Sequence, residues 1–129
     1  NYKRYFRESG IDNVMIASLT SGDRRLEAIG NAGRGFLYCA SLKGVTGVQK
    51  GLSDELEDFL ARLRQITSLP LAVGFGISTP EQVKDVRDKC DGIIMGSRIL
   101  DILLREGGID KGLKKLGGFV ERIIKILKT

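Results

Sequence analysis

The sequence predicts an α/β fold in which a parallel sheet is built from successive strand–helix units. Short apolar runs without polar alternation, such as residues 69–73 and 92–95, are typical of strands buried on both faces of a parallel sheet. A stretch with apolar residues at helical spacing follows each run, and glycines occupy the turns between them. Alternating units of this kind imply right-handed crossovers between neighbouring parallel strands.

The first half of the chain is expected to contain two of these strands. Residues 1–9 are predicted to form the end of a helix that Gly10 closes as its C-cap. Strands follow at residues 11–17 and 35–41, and a helix at 24–32 lies between them. The order helix, strand, helix, strand therefore begins the repeat.

The helix at 24–32 carries a capping signal and a weak point. Ser21 or Asp23 is expected to cap its N-terminus, because either side chain can accept a hydrogen bond from the first turn. Gly30 lowers the helix propensity of the same segment. A helix is still predicted here, since leucine and isoleucine form a thin apolar stripe.

The second half opens with a loop at 42–51 that contains three glycines and is long for a strand–helix connection. Its composition fits both a lid that closes over a site and an ordinary surface loop. The clearest helix of the chain follows at 52–67, with an acidic first turn and a buried apolar stripe. A basic amphipathic helix at 109–128 is expected to cover the sheet through the apolar residues Leu113, Leu116, Val120, Ile123, Ile124 and Leu127.

Two consecutive strand–helix units place glycine in the turn that leads to the helix. Gly76 follows one predicted strand, and Gly96 with Ser97 follows the next. The helix after Gly76 is predicted to begin with Thr79 as N-cap and Pro80 at its first position. Glycine lets the backbone approach an anion, and unpaired N–H groups at a helix start favour negative charge. The two turns together predict a phosphate site, and the alternative for each is a tight strand–helix turn.

Length and composition narrow the class of protein. The chain has 129 residues, of which 42% are hydrophobic and 29% charged, as in a globular protein with a single domain over residues 1–129. No apolar stretch is long enough to cross a membrane and no signal peptide is visible, so we expect a cytoplasmic protein without membrane association. Cys39 and Cys90 are expected to be buried free thiols.

The charge balance favours a phosphorylated small molecule over nucleic acid as a partner. The formal net charge is +5, which would attract a phosphorylated small-molecule substrate. Nucleic-acid binding is not expected, because the basic residues are scattered and only 6% of the residues are aromatic. Histidine, the commonest neutral metal ligand, is absent, and no metal site is expected.

The number of predicted strands limits the architecture. The sequence offers four, about half of the eight in a (βα)8 barrel of typically about 250 residues. It therefore predicts a partial TIM (βα)8 barrel, that is a half-barrel, or else an open sheet of flavodoxin-like character.

Several segments resemble the tryptophan synthase alpha chain in order and in spacing. Residues 35–41 followed by Gly-Val-Thr-Gly at 44–47, then 73–83, then 91–97, carry the resemblance. It implies a lyase of tryptophan biosynthesis that cleaves indole-3-glycerol phosphate to indole and glyceraldehyde 3-phosphate in a retro-aldol step. The alpha chain itself would carry no cofactor, and the indole would pass to a beta chain that carries pyridoxal phosphate.

The resemblance also implies roles for individual residues. One set would hold the substrate phosphate through backbone N–H groups and one hydroxyl: Gly47, Gly76, Gly96 and Ser97. Tyr38 would lie beside the reacting part of the substrate, and Phe75 would line the indole pocket. Thr46, within a closing loop at 42–51, would contact the catalytic carboxylate.

The sequence departs from the family pattern in two ways. The general acid/base glutamate and its partner aspartate belong to the second and third strands of the family's barrel, and this chain offers no counterpart. The family also has a strand, a helix and another strand between Gly10 and the loop at 21–23. This chain offers one strand there, at 14–17, as though two units had been merged or a segment removed.

These departures leave two functional hypotheses. In the first, the chain is the phosphate-binding half of an alpha-type lyase and is active only with the missing half. In the alternative, it is a catalytically inactive phosphate-binding half-barrel, natural or engineered. Because uncovered edge strands favour association, two copies could pair as a homodimer.

Overall fold

The computed structural model describes residues 2–41, 54–74, 76–105 and 107–129. Strands and helices alternate through these ranges, as the repeat of strand–helix units predicts. The elements are α1 (Tyr2–Glu8), β1 (Met15–Ser18), α2 (Asp23–Ala32), β2 (Leu37–Ala40), α3 (Asp54–Ile66), β3 (Leu71–Gly74), α4 (Pro80–Val86), β4 (Gly92–Ile94), α5 (Ser97–Arg105) and α6 (Ile109–Lys128).

The strands form one parallel sheet whose spatial order, β1-β2-β3-β4, follows the chain. This confirms the predicted α/β fold with parallel strand–helix units. Sequential order is the arrangement of a (βα)8 barrel, whereas a flavodoxin-like sheet places its second strand at the edge before the first. β1 pairs directly with β2, from Met15 opposite Leu37 to Ser18 opposite Ala40. The merged or removed unit expected between Gly10 and the loop at 21–23 stays a prediction, because the pairing of β1 with β2 is compatible with it.

Within the described residues, the helices that pack on this sheet cover one of its faces. Leu37, Cys39, Leu71 and Val73 point to that face and are fully buried. They pack with apolar side chains of α2, α3, α4 and α6 in a single core. Burial of this apolar surface is the main driving force for the fold.

The opposite face of the sheet lies outside the core. Ile16, Tyr38, Ala72 and Gly92 occupy one register row on this face. Ile16 is 59% exposed, so the expectation that the strands are buried on both faces is wrong. The apolar runs mislead here because the inner face of a barrel is also apolar, although it needs a complete ring of strands to become buried. We call this surface, with the row of Ser18, Ala40, Gly74 and Ile94, the open face.

The last helix, α6, runs without a break through Gly117 and Gly118. It packs on the core through Ile123, Phe119 and Ile126, and Gly112 lets it approach α5 closely. The predicted packing side is partly wrong, because four of its members are substantially exposed: Leu113, Val120, Ile124 and Leu127. None of the helices within the described ranges is long and apolar enough to cross a membrane.

The caps of the first helices agree in part with the sequence. Gly10 has φ +66°, and Ile11 N–H donates to the Phe6 carbonyl at 3.1 Å, which confirms the predicted C-cap of α1. Gly22 is the N-cap of α2 and no side chain caps it, so the prediction of Ser21 or Asp23 is wrong. The cause lies in the chain path, since Asp23 already belongs to the first turn.

The amino ends of β3 and β4 are joined by a carboxylate. Asp91 Oδ2 accepts a hydrogen bond from Leu71 N–H at 2.7 Å, and Asp91 N–H donates to the Leu71 carbonyl at 2.9 Å. Arg64, near the end of α3, pairs with the same carboxylate. Donation from Leu71 N–H, helped by Arg64, lowers the pKa of Asp91 although partial desolvation opposes it. This end of a parallel sheet is the one where interactions serve stability.

Candidate phosphate-binding site

The two glycine turns lie side by side at the carboxyl edge of the sheet. Gly74, the last residue of β3, is in register with Ile94, the last residue of β4. Gly76 and Gly96 each follow that pair by two residues. Neighbouring strands are about 4.8 Å apart, so the two turns begin next to each other. The carboxyl edge is where open and closed α/β sheets bind ligands.

The turn after β4 presents an open helix N-terminus. Leu100 N–H donates to the Gly96 carbonyl at 3.2 Å, which makes Gly96 the N-cap and Ser97 the first residue of α5. The first N–H groups of a helix have no carbonyl partner within it. Gly96 and Ser97 are exposed and the first turn contains no acidic residue. An exposed helix start of this kind favours an anion, and the phosphate site at Gly96 and Ser97 stays a prediction.

The turn after β3 leads to a helix whose N-terminus is already capped. Thr79 Oγ1 accepts from Gln82 N–H at 3.3 Å. Gln82 Oε1 in turn accepts from Ser78 N–H at 2.8 Å and from Thr79 N–H at 3.2 Å. This capping box confirms Thr79 as the N-cap, with Pro80 at the first position. Because the protein's own side chains already accept from the N–H groups of Ser78, Thr79 and Gln82, these groups are not available to an anion.

Gly76 contributes through its backbone conformation. Its φ is +82°, a left-handed value that glycine adopts freely and other residues adopt at a cost. Gly76 is exposed, while Ile77 after it is buried in the core. The turn is therefore anchored on one side and presents its backbone to solvent beside the start of α5.

Tyr38 lies on the open face below this edge. A Cβ atom built on Gly74 would lie 2.3 Å from the Tyr38 hydroxyl oxygen and 2.6 Å from Cζ. The ring thus covers Gly74 and points its hydroxyl toward the carboxyl edge. The structure brings the predicted residues Gly76, Gly96 and Ser97 to one edge of the sheet and places Tyr38 on the open face below them.

Arg98, the second residue of α5, points away from this edge. Its Nη1 donates to Asp101 at 2.8 Å, and its guanidinium carbon lies 5.6 Å from the centre of the Phe119 ring on α6. This cation–π contact fixes the start of α5 against α6. Arg98 adds positive charge to the first turn without occupying the anion position.

Three predicted site residues lie outside the described residues. They are Thr46 and Gly47, together with the rest of the expected closing loop at 42–51, and Phe75. Their roles remain predictions from the family resemblance.

Two contributors to the edge were missed in the sequence. Gln82 caps α4, and the spacing Thr79-x-x-Gln82 is a capping-box signature that could have revealed it. Ser41 follows β2, and its Oγ donates to the Gly74 carbonyl at 2.8 Å. No sequence signal identifies the bond from Ser41 to Gly74, because it joins two strands that are distant along the chain.

The thiols take no part in this edge. Cys39 lies on the helix-covered face, where burial raises its pKa to about 12, with a smaller contribution from Cys90. Burial also raises the pKa of Cys90. Across the residues that the structure describes, no three His, Cys, Asp or Glu side chains group together as a metal site would require.

Comparison with known proteins agrees with this architecture. The family model described as tryptophan synthase alpha chain matches residues 1–125. The tryptophan synthase alpha chain of Dehalococcoides mccartyi is 41% identical over 117 residues, which are 91% of this chain and 44% of the relative. That of Caldicellulosiruptor bescii is 41% identical over 127 residues, 98% of this chain and 47% of the relative.

Solved structures give the same result. A tryptophan synthase α2β2 complex from Pyrococcus furiosus contains a chain that matches 96% of this one, with a TM-score of 0.83 and 30% identity. Tryptophan synthase from Mycobacterium tuberculosis matches 99% of this chain, with a TM-score of 0.82 and 26% identity. The matches cover 50% and 46% of those chains.

The family match runs through the segment in which a merged unit was expected. The chain spans about half the length of the curated relatives that it matches. Its strands and glycine turns correspond to one half of their (βα)8 barrel. The chain belongs to the tryptophan synthase alpha chain family.

Proposed function

We propose that this chain is the phosphate-binding half of a lyase that cleaves indole-3-glycerol phosphate to indole and glyceraldehyde 3-phosphate. The observation that carries the proposal is the open N-terminus of α5 beside the Gly76 turn. The N–H groups of Gly96 and Ser97, with the Ser97 hydroxyl, would hold the phosphate dianion. The helix dipole would add a favourable interaction with its charge.

The remainder of the substrate would lie over the open face. Tyr38 lies on this face and directs its hydroxyl toward the carboxyl edge of the sheet. In a complete barrel the same face would form the interior below the site. The indolylglycerol part of a substrate whose phosphate is bound at this edge would therefore extend over Tyr38.

Cleavage needs groups that the described half does not supply. A retro-aldol step requires an acid and a base in reach of the bond that breaks. Near the carboxyl edge, Asp23 is exposed and is paired with Arg62. Within the described ranges no pair of carboxylates lies at the strand ends. The acid and base would belong to the other half of the barrel.

The test is indole release from indole-3-glycerol phosphate. The chain alone is expected to release none, and addition of the first four strand units of the Dehalococcoides mccartyi relative is expected to restore release. Ser97→Ala should then lower the restored activity, while the exposed Lys114→Ala should leave it unchanged. Release by the chain alone, or no release from a folded complex of both halves, would contradict the proposal. The second result, with phosphate binding intact, would favour the inactive phosphate-binding half-barrel.

The other half of the barrel is the partner that fits the uncovered surfaces of this chain best. β1 and β4 each pair on one side only within the described residues, and α6 exposes Leu113, Val120, Ile124 and Leu127. A homodimer would also give eight strands. It would, however, supply no acid and base for the cleavage, because the described strand ends of this chain carry no pair of carboxylates. Sedimentation of the chain alone and with the other half distinguishes the two assemblies.

The completed barrel would act with a further partner. One similar solved structure is a tryptophan synthase α2β2 complex. By this analogy, we expect a beta chain that carries pyridoxal phosphate to take up the indole. A cytoplasmic location and the lack of nucleic-acid binding stay predictions from the sequence.

A further inference from the structure

The carbonyl of Gly74 is the last backbone acceptor of β3 before the phosphate turn. It accepts two hydrogen bonds from one residue, Ser41, whose N–H donates at 3.1 Å and whose Oγ donates at 2.8 Å. Ser41 lies one residue beyond Ala40, which is in register with Gly74. The N–H bond extends the parallel ladder, whereas the hydroxyl bond is an addition specific to serine or threonine.

The other sides of Gly74 are also fixed. The Tyr38 ring occupies the space in which a side chain would lie, since a Cβ there would be 2.3 Å from the hydroxyl. Gly76, two residues later, takes φ +82°, and the side chain of Ile77 is buried. The turn is thus held by Ile77 at its far end and by the contacts of Gly74 at its near end.

We propose that Ser41 is a positioning residue for the phosphate site: its hydroxyl fixes the Gly74 carbonyl and thereby the plane of the peptide group with which the chain leaves β3 toward Gly76. The inference rests on the proposed phosphate site, although it concerns the turn itself. Ser41 does not touch the phosphate in this account. It acts through the peptide plane that begins the turn.

The chain offers a matched control in Ser18. Ser18 ends β1 in the register row of Ala40 and Gly74, so it lies at the same edge of the sheet as Ser41, which follows Ala40. Its hydroxyl contacts Thr20 Oγ1 at 3.0 Å, within its own loop. Serine-to-alanine changes at the two positions remove the same atom, but only Ser41→Ala removes a bond to the turn.

The experiment combines titration with inorganic phosphate and the amide NMR spectrum of the full chain. Ser41→Ala is expected to weaken phosphate binding about threefold to tenfold and to shift the Gly76 amide resonance before phosphate is added. Ser41→Thr, which retains the hydroxyl, should restore both. Ser18→Ala should leave both near the wild-type values.

The outcomes separate this inference from the proposed function. If the wild type binds phosphate and Ser41→Ala binds equally well, the positioning role is wrong. A fall in thermal stability with unchanged phosphate binding and an unchanged Gly76 resonance would also overturn it. If the wild type binds no phosphate, the proposed site fails, and the Gly76 resonance still decides whether Ser41 sets the turn.

Discussion

Two helices begin at the same edge of the sheet and use their N-termini in opposite ways. At α4, Thr79 and Gln82 satisfy the backbone N–H groups with side-chain oxygens. At α5 the N-cap is Gly96, which has no side chain to accept from the first N–H groups, and both Gly96 and Ser97 are exposed. The difference shows that a strand, a glycine and a helix start are not sufficient for an anion site. The N-cap residue decides whether the helix start is used for stability or for binding.

The largest expected effect comes from Gly76→Ala, which disturbs the turn between the two helix starts. An alanine at φ +82° costs about 1–2 kcal/mol of unfolding free energy, or moves the turn to avoid that cost. We expect lower thermal stability together with phosphate binding at least about tenfold weaker. Thermal unfolding and calorimetric titration measure the two. Wild-type binding in this variant would show that Gly76 lies outside the site.

The next largest effect is expected from Asp91→Ala, which lies at the amino end of the sheet. It should lower stability without changing phosphate binding. Asp91→Ala leaves Leu71 N–H without its acceptor and Arg64 without its partner. Because the Asp91 side chain is 47% exposed, we expect a loss of about 1–2 kcal/mol rather than the larger value of a buried pair. Urea unfolding should report this loss, with phosphate affinity unchanged as the control. A large loss of affinity would mean that the two ends are coupled.

The pH dependence of Asp91 follows from the sign of its shift. Its folded-state pKa is below the unfolded value, so the ionised carboxylate stabilises the fold above the unfolded pKa. This contribution is lost as the pH falls through the lowered pKa. The stability difference between wild type and Asp91→Asn should therefore shrink in acid, as thermal unfolding between neutral pH and about pH 3 would show. A constant difference would contradict the assignment.

The smallest expected effect separates the α4 cap from binding. Thr79→Ala removes the acceptor of Gln82 N–H and should cost about 1 kcal/mol of stability. Phosphate affinity should stay within about twofold of the wild type, since α4 does not contact the anion. Thr79→Ser, which keeps the hydroxyl, is the matched control. Weaker phosphate binding in the alanine variant alone would place α4 in the site.

Much of this architecture was predictable from short-range patterns. The Thr79-Pro80 start of α4, the left-handed C-cap at Gly10 and the glycine turns are set by local conformational preferences. These features place Gly76, Gly96 and Ser97 at the edge. Their proximity then follows from parallel strands in sequential order.

Sequence patterns mislead at the positions where contacts between elements decide the structure. Ile16 looks like a core residue, yet the sheet needs further strands before that face is covered. On α6 two apolar stripes compete, and close contact of Gly112 with Leu103 on α5 decides which one packs. Ser41 depends on β3, which is distant in sequence. Periodicity contains no information about any of these contacts.

The most direct test of the central claim is titration of Gly96→Asp and Gly96→Asn with inorganic phosphate. Gly96 is not among the glycines with positive φ, and a Cβ there meets no atom within 4 Å, so both variants fit the turn. Both side chains are good N-caps, and thermal stability should be at or above that of the wild type. Only aspartate adds negative charge at the position of the anion.

If the N-terminus of α5 is the phosphate site, Gly96→Asp should weaken binding at least about tenfold, and Gly96→Asn should weaken it much less. Phosphate affinity of Gly96→Asp equal to that of the wild type, in a folded chain, would contradict the assignment.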